Sequence, residues 1–312
     1  MESNLLDRCI LELEHRRKCQ CLKFELQLDN SESKSMVESD FRVLILLEPP
    51  SVMPENYNAS DWNSFNLVIL LSPWRSSIYG MGHIVFQPLI RPKIMNRDKF
   101  KHSRITLIND FKFGSVTSSL YGWRLELLKK LSQKGVEVKV FGPNWNMSRT
   151  LEVRKRWAAT RRAIGNPNFN LLEAWSSLFF RPKDYCGQAP DKFLTLSEFE
   201  YTIVVENDKY SLTEKLFDAA FSGTKVFYRG PKLSEFEYLD SICAQLPEEV
   251  DDAVEMILGR EKIDWSVYQD KALSFIDDSG SMAFCEHDNV AMGIVDIIEN
   301  SLEFRCSCSK EH

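Results

Sequence analysis

The chain has 312 residues, enough for two domains with separate hydrophobic cores. Its formal net charge of -6 argues against a general nucleic-acid-binding protein. No segment reaches the ~20 consecutive apolar residues of a transmembrane helix, and residues 1–40 lack the apolar core of a signal peptide. We therefore expect a cytoplasmic chain, with residues 1–40 as an N-terminal extension.

The first strong strand signal is the apolar run Val43 to Leu47. A continuous run of this kind is typical of a strand buried on both faces. It ends at Glu48, which is followed by Pro49 and Pro50. A carboxylate at the carboxyl end of a buried strand can be partly desolvated, which suits a general base, although a solvated glutamate is the alternative.

Further strands are predicted at Leu67 to Leu71, Ile105 to Ile108 and Val136 to Phe141, with an amphipathic helix at Ser118 to Gln133. The polar stretch Asn144 to Thr150 is the candidate interdomain linker. We accordingly expect one domain at 41–147 and a second at 148–312, the latter ending in helices.

The stretch Tyr201 to Pro231 has the pattern of a strand, a loop, a helix and a second strand, as in a parallel βαβ unit. Thr213 is a good N-cap for the helix. Lys215 in the first turn opposes the helix dipole, so a bound phosphate or diphosphate would explain it, and a solvated lysine is the alternative. Glu206 and Asn207 end the first strand, where they could also be plain turn formers.

This stretch resembles the donor-binding signature of the α1,3/4-fucosyltransferase family, glycosyltransferase family 10. The run VVEN, a short loop, TEKLFDAAFSG and a closing strand ending in Gly230 keep the family's order and spacing over about thirty residues. The resemblance is to a bacterial-type soluble member. It implies an α/β fold with GT-B architecture, in which two Rossmann-like domains face a cleft. The domain at 41–147 would bind the acceptor, and the domain at 148–312 would bind GDP-fucose.

The resemblance also implies roles for individual residues. LLEPP is similar to the family segment that carries the proposed catalytic base, which would be Glu48 here. The helix SSLYGWRLELLKKL matches a segment whose arginine contacts the donor diphosphate, so Arg124 would do so; an exposed helix arginine is the alternative. The remaining matches are Lys215 for the diphosphate, Asn207 and Glu214 for fucose or ribose hydroxyls, Tyr210 for an aromatic contact, and Glu206 and Thr213 as supporting residues.

The implied activity is inverting transfer of L-fucose from GDP-fucose to a glycan hydroxyl, in α1,3 or α1,4 linkage to an N-acetylglucosamine-type sugar. The chain contains no Asp-x-Asp pair, so we expect neither a metal nor another cofactor, and GDP-fucose would be the donor substrate. The expected partners are this nucleotide sugar and a glycan acceptor such as a lipopolysaccharide precursor. A lipid-linked acceptor would bring the enzyme to the inner face of the membrane.

Three positions depart from the family pattern. Ser211 stands where many members have tyrosine, Val226 where proline is frequent, and Arg229 where a small or apolar residue is usual. Two alternatives therefore stay open: a transferase for another nucleotide sugar, and a catalytically silent relative that binds a glycan or a nucleotide sugar.

Overall fold

A computed structural model describes residues 2–16, 23–29, 39–57, 62–70, 82–83, 102–112, 118–145, 181–233, 242–268, 270 and 287–303. The chain divides into two compact units. The first comprises Met1–Arg91, Tyr210–Leu212 and Gly280–His312, and the second comprises Pro92–Lys209 and Thr213–Ser279.

The first unit contains a parallel sheet. Its strands are β1 (Phe24–Leu28), β2 (Phe41–Leu46), β3 (Leu67–Leu70) and β4 (Gly82–His83), adjacent in that order. A short 3-10 helix, Pro54–Tyr57, lies between β2 and β3 in the chain.

Strand β2 is buried on both faces, as its apolar run predicts. Val43 and Ile45 belong to a core shared with helices α1 (Glu2–Arg16) and α6 (His287–Glu303), whereas Leu44 and Leu46 belong to a second cluster with Trp62. Successive side chains of a strand point to opposite faces, so one apolar run supplies both clusters.

The second unit contains a six-stranded parallel sheet, β5 to β10. Along the chain it comprises β5 (His102–Ile108), α2 (Tyr121–Gln133), β6 (Val138–Phe141), β7 (Tyr185–Gly187), α3 (Lys192–Ser197), β8 (Phe199–Val205), α4 (Glu214–Phe221), β9 (Lys225–Arg229), β10 (Ala244–Gln245) and α5 (Val250–Leu258). A 3-10 turn, Arg260–Lys262, follows α5. The spatial order is β10-β9-β8-β5-β6-β7, which is the doubly wound Rossmann arrangement.

The predicted βαβ unit is confirmed. Strands β8 and β9 pair in parallel from Tyr201 with Lys225 to Val205 with Arg229, and α4 connects them. The helix after β5 begins at Tyr121 rather than at Ser118, because Ser118 hydrogen-bonds Asp208 and its neighbour Ser119 forms an isolated antiparallel bridge to Asp208. Sequence patterns missed the short strands β4, β7 and β10.

The division between the units differs from the boundary predicted near residue 147. Strand β5 pairs with β8 as well as with β6, so it belongs to the second sheet, and the division falls between Arg91 and Pro92. Residues 1–40 are likewise more than an extension, because β1 pairs with β2 and α1 packs with the C-terminal helix α6. Strand pairing and helix packing between distant segments produce this division, and the local amino-acid composition does not indicate which distant segments pair or pack.

Among the helices in the described part of the chain, none has both the length and the apolar character required to cross a membrane.

Candidate functional site

The second sheet reverses its winding direction between β5 and β8. From β5 the chain proceeds to β6 and β7 on one side, and then returns to β8, β9 and β10 on the other. In open α/β sheets of this kind, ligands bind at the carboxyl ends of the strands, at this switch point. The polar residues that follow β5 and β8 are therefore the first candidates for a binding site.

Arg124 on α2 joins the ends of β5 and β8. Its Nη1 donates a hydrogen bond to the carbonyl of Asp110 at 3.1 Å, and its Nη2 donates to the carbonyls of Val205 at 3.0 Å and Glu206 at 3.2 Å. The residue is only 2% exposed, and burial lowers the pKa of its guanidinium to about 10. Its Nε has no hydrogen-bond partner among the described residues.

Lys215 lies in the first turn of α4, next to the end of β8. Its Nζ donates to the Oδ1 of Asn207 at 2.9 Å and lies 3.6 Å from the Oε2 of Glu206. Burial lowers the pKa of Lys215, and the negative charge of Glu206 opposes that shift. An ammonium group at a helix N-terminus adds to the positive end of the helix dipole, so the local potential favours an anion.

Glu206 is fully buried and caps the same helix from outside. Its Oε1 accepts the backbone N–H of Thr213 at 3.0 Å, and its Oε2 accepts the Thr213 hydroxyl at 2.6 Å. The hydroxyl oxygen of Thr213 accepts the backbone N–H of Lys215, as expected for an N-cap. Glu206 therefore holds the start of α4 in place, which a plain turn former would not do.

Glu214, also in the first turn of α4, faces Lys192 of helix α3. The Nζ of Lys192 lies 3.4 Å from the Oε1 of Glu214 and also contacts the carboxylate of Asp218. Burial alone would lower the pKa of Lys192, but the two carboxylates outweigh it and the net shift is upward. This ion cluster fixes α3 against α4.

A second polar group lies at the ends of β5 and β6. Asn144, whose φ of 68° is left-handed, donates through Nδ2 to the Oδ1 of Asp110 at 2.5 Å. Burial raises the pKa of the Asp110 carboxyl group, and the bond from Asn144 opposes this. A Cβ on Gly142 would lie 2.1 Å from the carbonyl oxygen of Asn109, so only glycine permits this close approach of the two loops.

Arg229 and Gly230 close the site at the end of β9. The Nη1 of Arg229 donates to the carbonyl of Gly230, and its guanidinium lies 5.8 Å from the ring centroid of Trp123. Burial lowers the pKa of Arg229. A Cβ on Gly230 would lie 2.2 Å from the hydroxyl of Tyr228 and 2.7 Å from the Cγ of Glu206, so the glycine lets β9 approach the buried carboxylate.

Glu48 lies in the first unit, at the carboxyl end of β2, and is half-buried. A buried aspartate, Asp29, accepts the backbone N–H of Leu47 at 3.1 Å and the Nδ2 of Asn56 at 2.8 Å, and the Glu48 N–H lies 3.5 Å from the same oxygen. The hydroxyl of Tyr57 donates to the carbonyl of Glu48 at 3.0 Å. These contacts fix the backbone that presents the Glu48 carboxylate.

The second unit brings four of the predicted residues into one network: Glu206, Asn207, Thr213 and Lys215. Glu214 adjoins it and binds Lys192, and Arg124 donates a hydrogen bond to the backbone carbonyl of Glu206. Tyr210 is 38% exposed, and it is assigned to the first unit together with Ser211. Val226 is buried in β9.

Sequence patterns did not single out Asp29 near Glu48 in the first unit, or Asp110, Asn144, Lys192 and Tyr228 in the second unit. A signal existed for Asp29 and Asp110, since each follows an apolar, strand-like run. For Lys192 and Tyr228 the sequence contains no such signal, and only the packing of the folded chain shows that they lie near the candidate residues.

The sequence matches no protein-family model and no curated protein. Solved structures share its fold. A point mutant of S. aureus TarM, in complex with fondaparinux, alpha-GlcNAc-glycerol and UDP, aligns with a TM-score of 0.50 at 12% identity over 85% of this chain. That alignment covers 52% of the TarM chain, so this chain spans about half the length of that structure.

A glycosyltransferase from Rickettsia africae ESF-5 aligns with a TM-score of 0.50 at 12% identity, over 95% of this chain and 82% of the other. An α1,3-fucosyltransferase with GDP has 12% identity over 96% and 85% of the two chains; its TM-score of 0.49 is too low to add to the assignment. Identities at this level establish a shared fold and leave the family undecided. The predicted fold class, α/β with the Rossmann-like sheets of GT-B glycosyltransferases, is confirmed.

Proposed function

We propose that this chain is an inverting fucosyltransferase that moves L-fucose from GDP-fucose to a hydroxyl group of a glycan acceptor. The observation that carries the proposal is the position of Lys215. Its ammonium group lies in the first turn of α4, beside the carboxyl end of β8 at the switch point of a Rossmann sheet. Backbone N–H groups, the helix dipole and a fixed cation there suit the diphosphate of a nucleotide sugar.

In this proposal Lys215 binds the diphosphate and neutralises the charge that develops as GDP leaves. Asn207 and Glu214 hold fucose or ribose hydroxyls, and Tyr210 supplies an aromatic contact. Arg124 acts on the site through the strand ends, because its Nη atoms already hold three backbone carbonyls. Direct contact of Arg124 with the diphosphate would use its Nε–H or the second N–H of Nη1, because the other three N–H groups of the guanidinium hold the carbonyls.

Glu48 is the proposed general base. It would take the proton from an acceptor hydroxyl, whose oxygen attacks the anomeric carbon of fucose on the face opposite GDP, so configuration inverts. The hydrogen bonds around Asp29 support this role, because they fix the backbone on both sides of the residue. We further propose that the acceptor is an N-acetylglucosamine-type sugar of a surface glycan, joined in α1,3 or α1,4 linkage in the cytoplasm.

Calorimetric titration with GDP-fucose, GDP-mannose and UDP-galactose tests the donor site. We expect guanine nucleotides alone to bind, and Lys215→Ala to weaken GDP binding by about 10- to 100-fold, since charged hydrogen bonds contribute about 1.5–3 kcal/mol. Lys225→Ala is the matched control: this lysine is similarly buried but lies at the amino end of β9, paired with Glu200. Equal losses in the two variants would contradict the assignment of Lys215.

Transfer of isotope-labelled fucose to a panel of glycan acceptors tests the reaction. Glu48→Gln should retain GDP binding and lose at least about 100-fold in turnover, because general-base catalysis typically contributes that much or more. Unchanged turnover would remove Glu48 from the mechanism.

A second candidate is transfer from a uridine nucleotide sugar. It is favoured by the S. aureus TarM structure, whose complex contains UDP and which shares this fold. Preferential binding of UDP-galactose in the titration would select this candidate. Nucleotide binding without transfer to any acceptor would instead indicate a catalytically silent relative.

A further inference from the structure

Glu206 is a buried carboxylate whose orientation is fixed on every side. Both carboxylate oxygens accept hydrogen bonds from Thr213, at 3.0 Å and 2.6 Å. Its backbone N–H donates to the carbonyl of Arg229 at 2.8 Å, and its own carbonyl accepts from Arg124 at 3.2 Å. Turning the carboxylate away would leave Thr213 donors unsatisfied in the interior, which is energetically unfavourable. These contacts hold the Glu206 carboxylate at one defined place. Burial raises the pKa of this carboxyl group, and the charge of Lys215 together with the hydrogen bonds from Thr213 opposes that shift and favours the ionised form.

That place is 3.6 Å from the ammonium nitrogen of Lys215. Desolvation favours the neutral form of a buried lysine, and an opposite charge nearby favours the protonated form. Burial indeed lowers the pKa of Lys215, and Glu206 is the strongest opposing influence. Among the described residues, the charged groups that face Lys215 from the surrounding elements are Glu206, Glu214, Arg124 and Lys192, and the phenol of Tyr228 packs beside Glu206. Two of these four charges, Arg124 and Lys192, disfavour a protonated Lys215.

We infer that Glu206 is a positioning residue that keeps Lys215 protonated for binding a nucleotide diphosphate. This inference rests on the proposed function, in which Lys215 holds that diphosphate. A neutral amine would offer the phosphate oxygens no net charge, so the site needs a buried lysine that stays cationic at neutral pH. Glu206 meets this need without occupying the ligand position, because Thr213 holds it from the helix side.

Glu206→Gln tests the inference, because glutamine retains an acceptor for Thr213 and removes the charge. GDP affinity is measured by calorimetry at about pH 6.5 and at about pH 9, because a lysine whose pKa is lowered by burial is protonated to a greater extent at the lower pH. We expect the variant to bind within about threefold of wild type at the lower pH and about tenfold more weakly at the higher pH, since one pKa unit changes the protonated fraction about tenfold. The GDP affinity of the wild-type protein should change less between the two pH values.

The double variant Glu206→Gln with Lys215→Arg is the rescue control. Arginine stays protonated without a partner, so the double variant should lose the pH dependence of the single one. If Glu206→Gln does not unfold cooperatively, Glu206→Asp replaces it. That change draws the carboxylate back by one methylene, and we expect the ratio of Kd at high to low pH to exceed wild type by about threefold.

The outcomes distinguish a failure of this inference from a failure of the proposed function on which it rests. A loss of affinity that is equal at both pH values would assign Glu206 a merely structural role and overturn the inference. Identical pH profiles in wild type and in the folded variant would also overturn it, with GDP binding intact. Failure of wild type to bind GDP at either pH would overturn the proposed function and this inference together.

Discussion

At the scale of single residues, Arg124 shows how a cation beside a binding site can serve the backbone. The alternative of an exposed helix arginine is wrong, and the contact with a donor diphosphate that the family resemblance implies stays a prediction. Arg124 is 2% exposed and donates to three carbonyls at the ends of β5 and β8. Sequence patterns could locate this arginine on a helix, but its acceptors come from segments far apart in the chain.

Arg124→Met should therefore destabilise the fold. We expect a loss of about 2–4 kcal/mol in the free energy of unfolding, because buried carbonyls would lose their donors while the apolar stem is kept. Urea denaturation measures it. The control is Arg104→Met, an arginine that is 48% exposed by side chain and paired with Glu137, for which a change within about 0.5 kcal/mol is expected. Equal midpoints for Arg124→Met and wild type would disprove the structural role.

At the scale of elements, two hydrogen-bond acceptors fix the start of helix α4: the carboxylate of Glu206 and the hydroxyl oxygen of Thr213. The backbone N–H and the hydroxyl of Thr213 both donate to Glu206, and the hydroxyl oxygen accepts from Lys215. The N-cap, the helix and the flanking strands were predicted from sequence, because capping residues and apolar periodicity are local signals. The buried acceptor was not, because Glu206 at a strand end resembles an ordinary turn residue until β9 packs against it.

A pair of substitutions at Thr213 separates its hydroxyl from its methyl group. Thr213→Val removes the hydroxyl and should cost about 1–3 kcal/mol, combining a lost N-cap with a lost donor to a buried carboxylate. Thr213→Ser keeps the hydroxyl and should cost less than about 1 kcal/mol. Thermal or urea unfolding of both proteins measures this. A serine variant as unstable as the valine variant would show that the methyl packing, rather than the cap, stabilises this turn.

At the scale of the whole molecule, the two ends of the described chain share one core. Leu5, Cys9 and Leu13 of α1 pack in the same cluster as Ile294 and Ile298 of α6. The sequence analysis assigned residues 1–40 to an N-terminal extension and the C-terminal helices to the domain at 148–312. Helical periodicity shows which face is apolar and does not show which sheet that face covers.

Ile294→Ala tests this assignment. The residue is fully buried, and we expect a loss of about 2–5 kcal/mol, because the substitution leaves a cavity in a packed core. Hydrogen exchange should show the loss of protection in β1, β2 and β3, with β8 and β9 as the internal reference. Asn300→Ala, on an exposed position of the same helix, is the control. Loss of protection in β8 instead of β2 would contradict the placement of α6.

The sequence by itself determined the elements whose signals are local. The apolar run of β2, the βαβ unit from β8 to β9 and the cap at Thr213 follow from side-chain periodicity and from the hydrogen-bonding capacity of single residues. Only the tertiary structure decided that β5 pairs with β8 and that α6 packs with α1. It also decided that Glu206 and Arg124 are both buried, the first with a side chain that accepts hydrogen bonds and the second with a side chain that donates them. The reason is physical: burial and hydrogen-bond partners depend on which distant segments pack together.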